Sequence, residues 1–104
     1  MDLNSVNLVG NVVNNAVVNY TCVGIPYIKI TLAVTRMKKI NQETADIDYF
    51  TVTSFGKKNE NLYQYLIRGK KIAVSGRLQQ DKWCDSNSQT HYSVSIVAEN
   101  IQLF

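Results

Sequence analysis

Tyr49-Phe50-Thr51-Val52-Thr53-Ser54-Phe55, running straight into Gly56-Lys57-Lys58, is the stretch on which the reading of this 104-residue chain turns. With the period of two that a strand imposes, Phe50 and Val52 point to one face and Tyr49, Thr51, Thr53 and Phe55 to the other. The first is an ordinary core face. The second sets two large aromatics at the ends of a polar threonine surface and leads into two lysines, a combination suited to stacking unpaired nucleic-acid bases.

The same alternation extends outward. On the N-terminal side, Ile28, Ile30, Leu32 and Val34 face inward while Tyr27, Lys29, Thr31, Ala33 and Thr35 face the other way, which predicts a strand from Tyr27. It runs into Arg36-Met37-Lys38-Lys39, and polar Asn41 to Asp46 suits a protruding loop with positive charge at its base, a solvated loop being the plainer alternative. Upstream, Asn19 to Pro26 reads as a turn. Asn4 to Val18 is valine-rich and apolar on both faces, as expected of a strand that crosses between two sheet surfaces or pairs with another subunit, with Gly10 permitting a bulge or bend.

On the C-terminal side, Leu62, Tyr65 and Leu66 show the one helix-like spacing of the chain, with a start at Lys58 or Asn59 and a C-cap signal at Gly69. Tyr63 and Tyr65 are expected to pack rather than stack on bases. From Lys71 to Trp83, Ile72, Val74 and Leu78 point to the core; Ala73, Ser75, Arg77, Gln79, Asp81 and Trp83 share the outer side unless a bulge at Gly76 intervenes. Asp85 to Gln89 forms a turn, and Tyr92 to Phe104 is the last strand.

The predicted order is β-β-β-α-β-β in one domain spanning residues 1–104. Five strands with one short helix between the third and fourth match an all-β OB-fold, a five-stranded Greek-key barrel whose second and third strands and adjoining loops bind oligonucleotides or oligosaccharides. A domain of this length buries about two-thirds of its unfolded surface without disulfide or metal. The net charge of +3 is mildly basic. Cys22 and Cys84 form no CxxC pair, and neither a secretory h-region nor a membrane-length apolar run is present, so an intracellular protein with reduced thiols is expected.

No enzyme constellation is legible. His91 is a lone histidine beside a predicted loop, Gly56-Lys57 lacks the upstream glycine of a phosphate-binding loop, and Ser75-Gly76 lacks a nucleophile elbow. Asp46 and Asp48 have no further ligands for a metal, and no cofactor is expected. Binding chemistry is present instead. Tyr49, Phe55 and Trp83 lie on polar faces with Lys57, Lys58, Arg77, Lys82 and the Arg36 to Lys39 run nearby. Rings stack on any base and cations follow the phosphates, which favours a single strand with little sequence preference. Duplex DNA is disfavoured, since its bases are already stacked and no recognition-helix motif is present.

The residues resemble the bacterial-type single-stranded DNA-binding proteins. The resemblance is carried by Asn4-Ser5-Val6-Asn7-Leu8-Val9-Gly10-Asn11, Ile30-Thr31-Leu32-Ala33-Val34, Phe55-Gly56-Lys57, Tyr65-Leu66-Ile67-Arg68-Gly69-Lys70, Val74-Ser75-Gly76-Arg77-Leu78 and Lys82-Trp83-Cys84-Asp85. It implies an OB-fold homotetramer that wraps and protects single-stranded DNA in replication, recombination and repair, in the bacterial nucleoid or an organelle or phage equivalent. By position, Tyr49, Phe55 and Trp83 would stack on bases, Lys57, Arg68 and Lys82 would meet the backbone, and Asn4 to Val13 would pair between subunits; Arg36, Lys38 and Arg77 join the backbone set as cations near the predicted rings. Two departures stand out. Met37 and Lys38 occupy a place where the family usually offers an aromatic, and residues up to Phe104 contain no flexible tail with an acidic tip, so tail-mediated partners are not assigned to them. Two other readings remain open at this level: a primosomal accessory OB protein, which Gly24-Ile25-Pro26 would also suit, and an assembly module whose outer aromatics meet protein.

Overall fold

In the computed structural model, which describes residues 2–104, the period-two pattern of the central strands becomes a closed barrel. The strands are β1 (Val6–Val12), β2 (Val18–Tyr20), β3 (Pro26–Thr35), β4 (Ile47–Phe55), β5 (Lys71–Cys84) and β6 (Thr90–Leu103). Antiparallel ladders join β1 to β3 and β5, β3 to β4, and β5 to β6, and a parallel β4–β6 pairing shuts the ring. This is the five-stranded OB barrel expected from the element order, with β2 added as a short flank on β3. The helical turn α1 (Asn59–Leu62) continues into a 3-10 turn, Tyr63–Tyr65, between the third and fourth barrel strands. Among the described residues no helix is long and apolar enough to cross a membrane.

The inward rows behave as their spacing demands. Ile28, Ile30 and Leu32 of β3, Val52 of β4, Ile72 and Val74 of β5 and Ile96 of β6 are buried, and Leu66 plugs one end of the barrel. Each such side chain contributes about 1.5–3 kcal/mol by leaving water.

Four local expectations change. The first strand ends at Val12 rather than Val18: Val13 N–H still donates to Thr31 O in the β3 register, but the chain then leaves the sheet and Ala16 N–H donates to Leu66 O. The expected turn at Asn19 to Pro26 is narrower, since Val18 to Tyr20 pairs with Pro26 to Ile28. Gly10 makes no bulge; the β1–β5 ladder runs in register from Val6 to Asn11, and glycine is required because a Cβ there would strike the Ala33 carbonyl oxygen. The helix is shorter than its spacing suggests. Leu62 packs on the core and Leu66 is buried, but Tyr63 and Tyr65 stay exposed, and the chain leaves helical geometry at Leu66 before Gly69 reverses it at φ +89°.

Two features position the outer surface. The bulge lies on β6, opposite Gly76: the register passes from Ser75↔Asn100 to Gly76↔Ala98 and leaves Glu99 as the extra residue. The alternation of β5 therefore continues unbroken, so Arg77, Gln79, Asp81 and Trp83 share one face. Beyond Gly76, β5 no longer has β1 beside it, and past Leu78 and Ile96 the β5–β6 pair continues as a hairpin arm, so Leu78, expected in the core, is 46% exposed. The second feature is a buried corner after β4. Fully buried Asn59 donates through Nδ2 to Ser54 O at 2.8 Å and Gly56 O at 3.0 Å, and accepts from Ser54 Oγ at 3.0 Å, fixing the backbone on both sides of Phe55.

Candidate nucleic-acid interface

The antiparallel register of β3 and β4 turns the outer row into cross-strand pairs: Tyr27 with Phe55, Lys29 with Thr53, Thr31 with Thr51 and Ala33 with Tyr49. Tyr49 and Phe55 stand six positions apart, roughly 20 Å along a strand. Between the two rings runs a floor of threonines and one lysine. Tyr49 is 64% exposed and Phe55 47%, so both present ring surface to solvent. Phe55 has a companion assigned no role from sequence, Tyr27, whose ring centroid lies 5.7 Å away at 37°.

Trp83 projects from the hairpin arm and is also half exposed. Its cross-strand partner is His91, whose ring stacks on the indole at 5.5 Å between centroids and 24° between planes. The imidazole is held in turn: His91 Nε2 lies 2.6 Å from Asp85 Oδ2, while Asp85 Oδ1 accepts the Asn87 and Gln89 N–H groups. His91, then the turn donors, hold the Asp85 carboxyl below the usual carboxylate range. Turn, imidazole and indole thus form one supported stack, and His91, which the sequence offered only as a loop-side histidine, is its middle member. The signal was the hairpin: once Asp85 to Gln89 is the turn, residues 83 and 91 must face each other.

Between the β3–β4 surface and the arm lies an open cavity of about 500 Å³. Tyr20, Tyr27 and Phe55 contribute aromatic wall, and Lys29, Gln79, Asp81 and Ser95 contribute polar groups. Tyr27, Lys29, Gln79 and Asp81 were legible as outward residues, but only the fold gathers them. Gln79 and Ser95 hydrogen bonds, helped by the charge of Lys29, lower the Asp81 carboxyl below its ordinary value.

The cations divide. Lys57 follows Phe55 at the corner and is exposed, and Arg77 is exposed on the Asp81 face of β5, with Nη1 donating to Gln79 Oε1 at 3.3 Å. Lys38 is exposed in the loop after β3. Arg36 is already engaged: Nε and Nη2 form a bidentate pair with Asp48 at 2.8 Å each, which raises the guanidinium's pKa and lowers the carboxyl's. Lys82 alternates to the opposite face of the arm from Trp83, with Nζ 6.0 Å from the Tyr92 ring centroid. Arg68 belongs to the loop beside β1, where its N–H donates to Asn15 Oδ1, away from the residues that line the cavity. Arg77 and Trp83 thus share the face of β5 whose Gln79 and Asp81 line the cavity with Phe55, Lys57 is exposed at the corner after β4, and Lys82 and Arg68 lie off that face.

A family model described as the single-strand binding protein family matches residues 3–104. The chain belongs to that family. Among curated relatives, the single-stranded DNA-binding protein of Treponema pallidum (strain Nichols) is 34% identical over 98% of this chain and 58% of its own length. That of Borreliella burgdorferi is 35% identical over 99% of this chain and 70% of its own. That of Xanthomonas campestris pv. campestris is 35% identical over 97% of this chain and 60% of its own. The chain thus spans less than two-thirds of the Treponema and Xanthomonas relatives of the single-strand binding family.

Proposed function

We propose that this chain is a non-enzymatic binder of single-stranded DNA that covers and protects unpaired strands during replication, recombination and repair, with little dependence on sequence. What supports the reading is the set of half-exposed rings, Tyr49, Phe55 with Tyr27, and Trp83 on His91, together with exposed Lys57 after Phe55 and Arg77 on the Trp83 row of β5. Such rings stack on bases of any kind, and cations held close to them meet the phosphates. The names of the family and of its relatives support the same substrate. Tyr49, Phe55 and Trp83 are assigned the stacking role. Lys38, Lys57 and Arg77 are assigned the backbone role; Arg36 takes part when Asp48 releases it, and Lys82 and Arg68 serve a strand that continues round the molecule. The site of action is the bacterial nucleoid, or its organelle or phage counterpart.

The working form is a homotetramer with Asn4 to Val13 in a subunit interface. Val9 on the outer row of β1 is 48% exposed and Val13, just past its end, 38%. The first-strand edge opposite β5 pairs with β3 only from Asn11 onward, so Val6 to Gly10 offers ladder groups to a second copy. A monomeric mass by light scattering at micromolar concentration refutes that assembly.

Titration of Trp83 emission with oligo-dT tests the binding reading. Quenching is expected, with a log-log salt slope of about −0.7 for each phosphate neutralised. Trp83→Ala and Phe55→Ala should each weaken binding by about 1–3 kcal/mol, the usual cost of a lost base stack. Emission unchanged at saturating oligo-dT, with the protein folded, removes Trp83 from the path.

A further inference from the structure

A carboxylate stands where a polyanion is expected to lie. Asp81 lines the cavity between the β3–β4 surface and the hairpin arm, facing the same space as Tyr27, Phe55 and Lys29. Its Oδ1 accepts from Gln79 Nε2 at 3.1 Å and its Oδ2 from Ser95 Oγ at 3.0 Å. An ionised carboxylate has about four lone-pair sites, so each oxygen keeps acceptor capacity beyond those two bonds. The same hydrogen bonds, with Lys29, hold the group in its charged form at neutral pH. The cavity of about 500 Å³ falls within the roughly 300–1,000 Å³ of small-ligand sites.

A fixed negative charge repels phosphate, so a strand crossing here is best accommodated with a base edge, not its backbone, toward Asp81. Base edges differ in what they offer an acceptor. Cytosine and adenine present an exocyclic amine, and guanine presents adjacent N–H and amine donors that match two carboxylate oxygens. Thymine sets a single N–H between two carbonyl oxygens, which a carboxylate repels.

We infer that the Asp81 cavity is a base-reading pocket within the single-strand path, favouring amine-bearing bases, guanine and cytosine foremost, and disfavouring thymine. The inference rests on the single-strand reading and refines it: stacking on the rings tolerates any base, while this one station discriminates. Gln79 and Ser95 act as positioning residues that aim the carboxylate, and Lys29 offsets its charge.

The test is competition at fixed salt among equal-length oligo-dT, oligo-dC and oligo-dT carrying isolated guanines, with the wild-type chain, Asp81→Asn and Asp81→Ser. The wild type should favour the amine-bearing oligonucleotides by about five-fold or more, the lower end for one good base-edge contact, and both neutral variants should reduce that ratio to about two-fold or less. Oligo-dT binding itself should tighten in the variants, because a repulsive charge has gone. Equal wild-type affinities, or a preference that survives in either folded variant, overturns the inference while leaving single-strand binding intact. A uniform loss across the three oligonucleotides assigns Asp81 a merely structural role and overturns it too. Binding of none of them by the folded wild type removes the single-strand reading and this inference together.

Discussion

Replacing Asn59 by Asp changes one atom at the centre of the corner that holds Phe55, and the consequence follows from three distances. The amide nitrogen donates to two backbone carbonyls, Ser54 O at 2.8 Å and Gly56 O at 3.0 Å, and the amide oxygen accepts from Ser54 Oγ at 3.0 Å. At about 1 kcal/mol net per bond, removing the side chain in Asn59→Ala costs about 3 kcal/mol, and leaving buried polar groups unpaired adds about 1 kcal/mol or more. Asn59→Asp keeps the volume but turns a donor into an oxygen facing two carbonyl oxygens in a site of 0% exposure, so its loss should equal or exceed that of Asn59→Ala. A loss of about 4 kcal/mol is a large part of the roughly 5–15 kcal/mol that stabilises a domain. Urea unfolding followed by Trp83 emission measures it, and oligonucleotide affinity well below the midpoint should fall as well because Phe55 is no longer held. If Asn59→Asp loses less than about 1 kcal/mol with an unchanged slope, the corner is not organised by this amide.

Other perturbations read the surface and the barrel. Asp48→Asn frees the Arg36 guanidinium, so the log-log salt slope for oligonucleotide binding should steepen by up to about 0.7; an unchanged slope means that Arg36 does not meet the strand. Because the Asp85 pKa is depressed in the folded arm, its contribution is fully present above the unfolded carboxylate range and is lost as pH falls through the lower folded value. Trp83 emission anisotropy should accordingly drop on acidification below the ordinary carboxylate range, and Asp85→Asn should abolish that acid step. Gly76→Ala puts a Cβ against the Val97 carbonyl oxygen and should destabilise the barrel by about 3 kcal/mol, measured by thermal unfolding; a melting temperature equal to wild type would show that the β5–β6 ladder yields at little cost.

The strands with one wet face were legible because alternation is a local property. Ile28, Ile30, Leu32 and Val52 are buried and Tyr49 and Phe55 exposed, as their spacing alone requires. Three residues of β2 carry no period, and they become a strand only because β3 lies beside them. Tyr63 and Tyr65 follow a helical spacing, but the chain must bend at Leu66 to seat that side chain in the barrel end, and the tyrosines are left outside. At the site, alternation itself already separates Lys82 from Trp83. The partnerships of Arg36 with Asp48 and of Trp83 with His91 depend on register across strands, which is fixed by turns and bulges rather than by the residues concerned. The gathering of Tyr27, Lys29, Asp81 and Ser95 in one cavity depends on closure of the ring.

That closure has a consequence for biosynthesis. The last strand, β6, is inserted between β4 and β5, so the β4 edge has no partner until Ile96 to Ala98 pair with Val52 to Ser54. Until β6 docks, the β3–β4 hairpin is left with an open edge that other unfolded chains can pair with. The interval before β6 docks is therefore when this protein is most exposed to aggregation, and a chaperone that masks the β4 edge until β6 docks should raise the yield of folded protein.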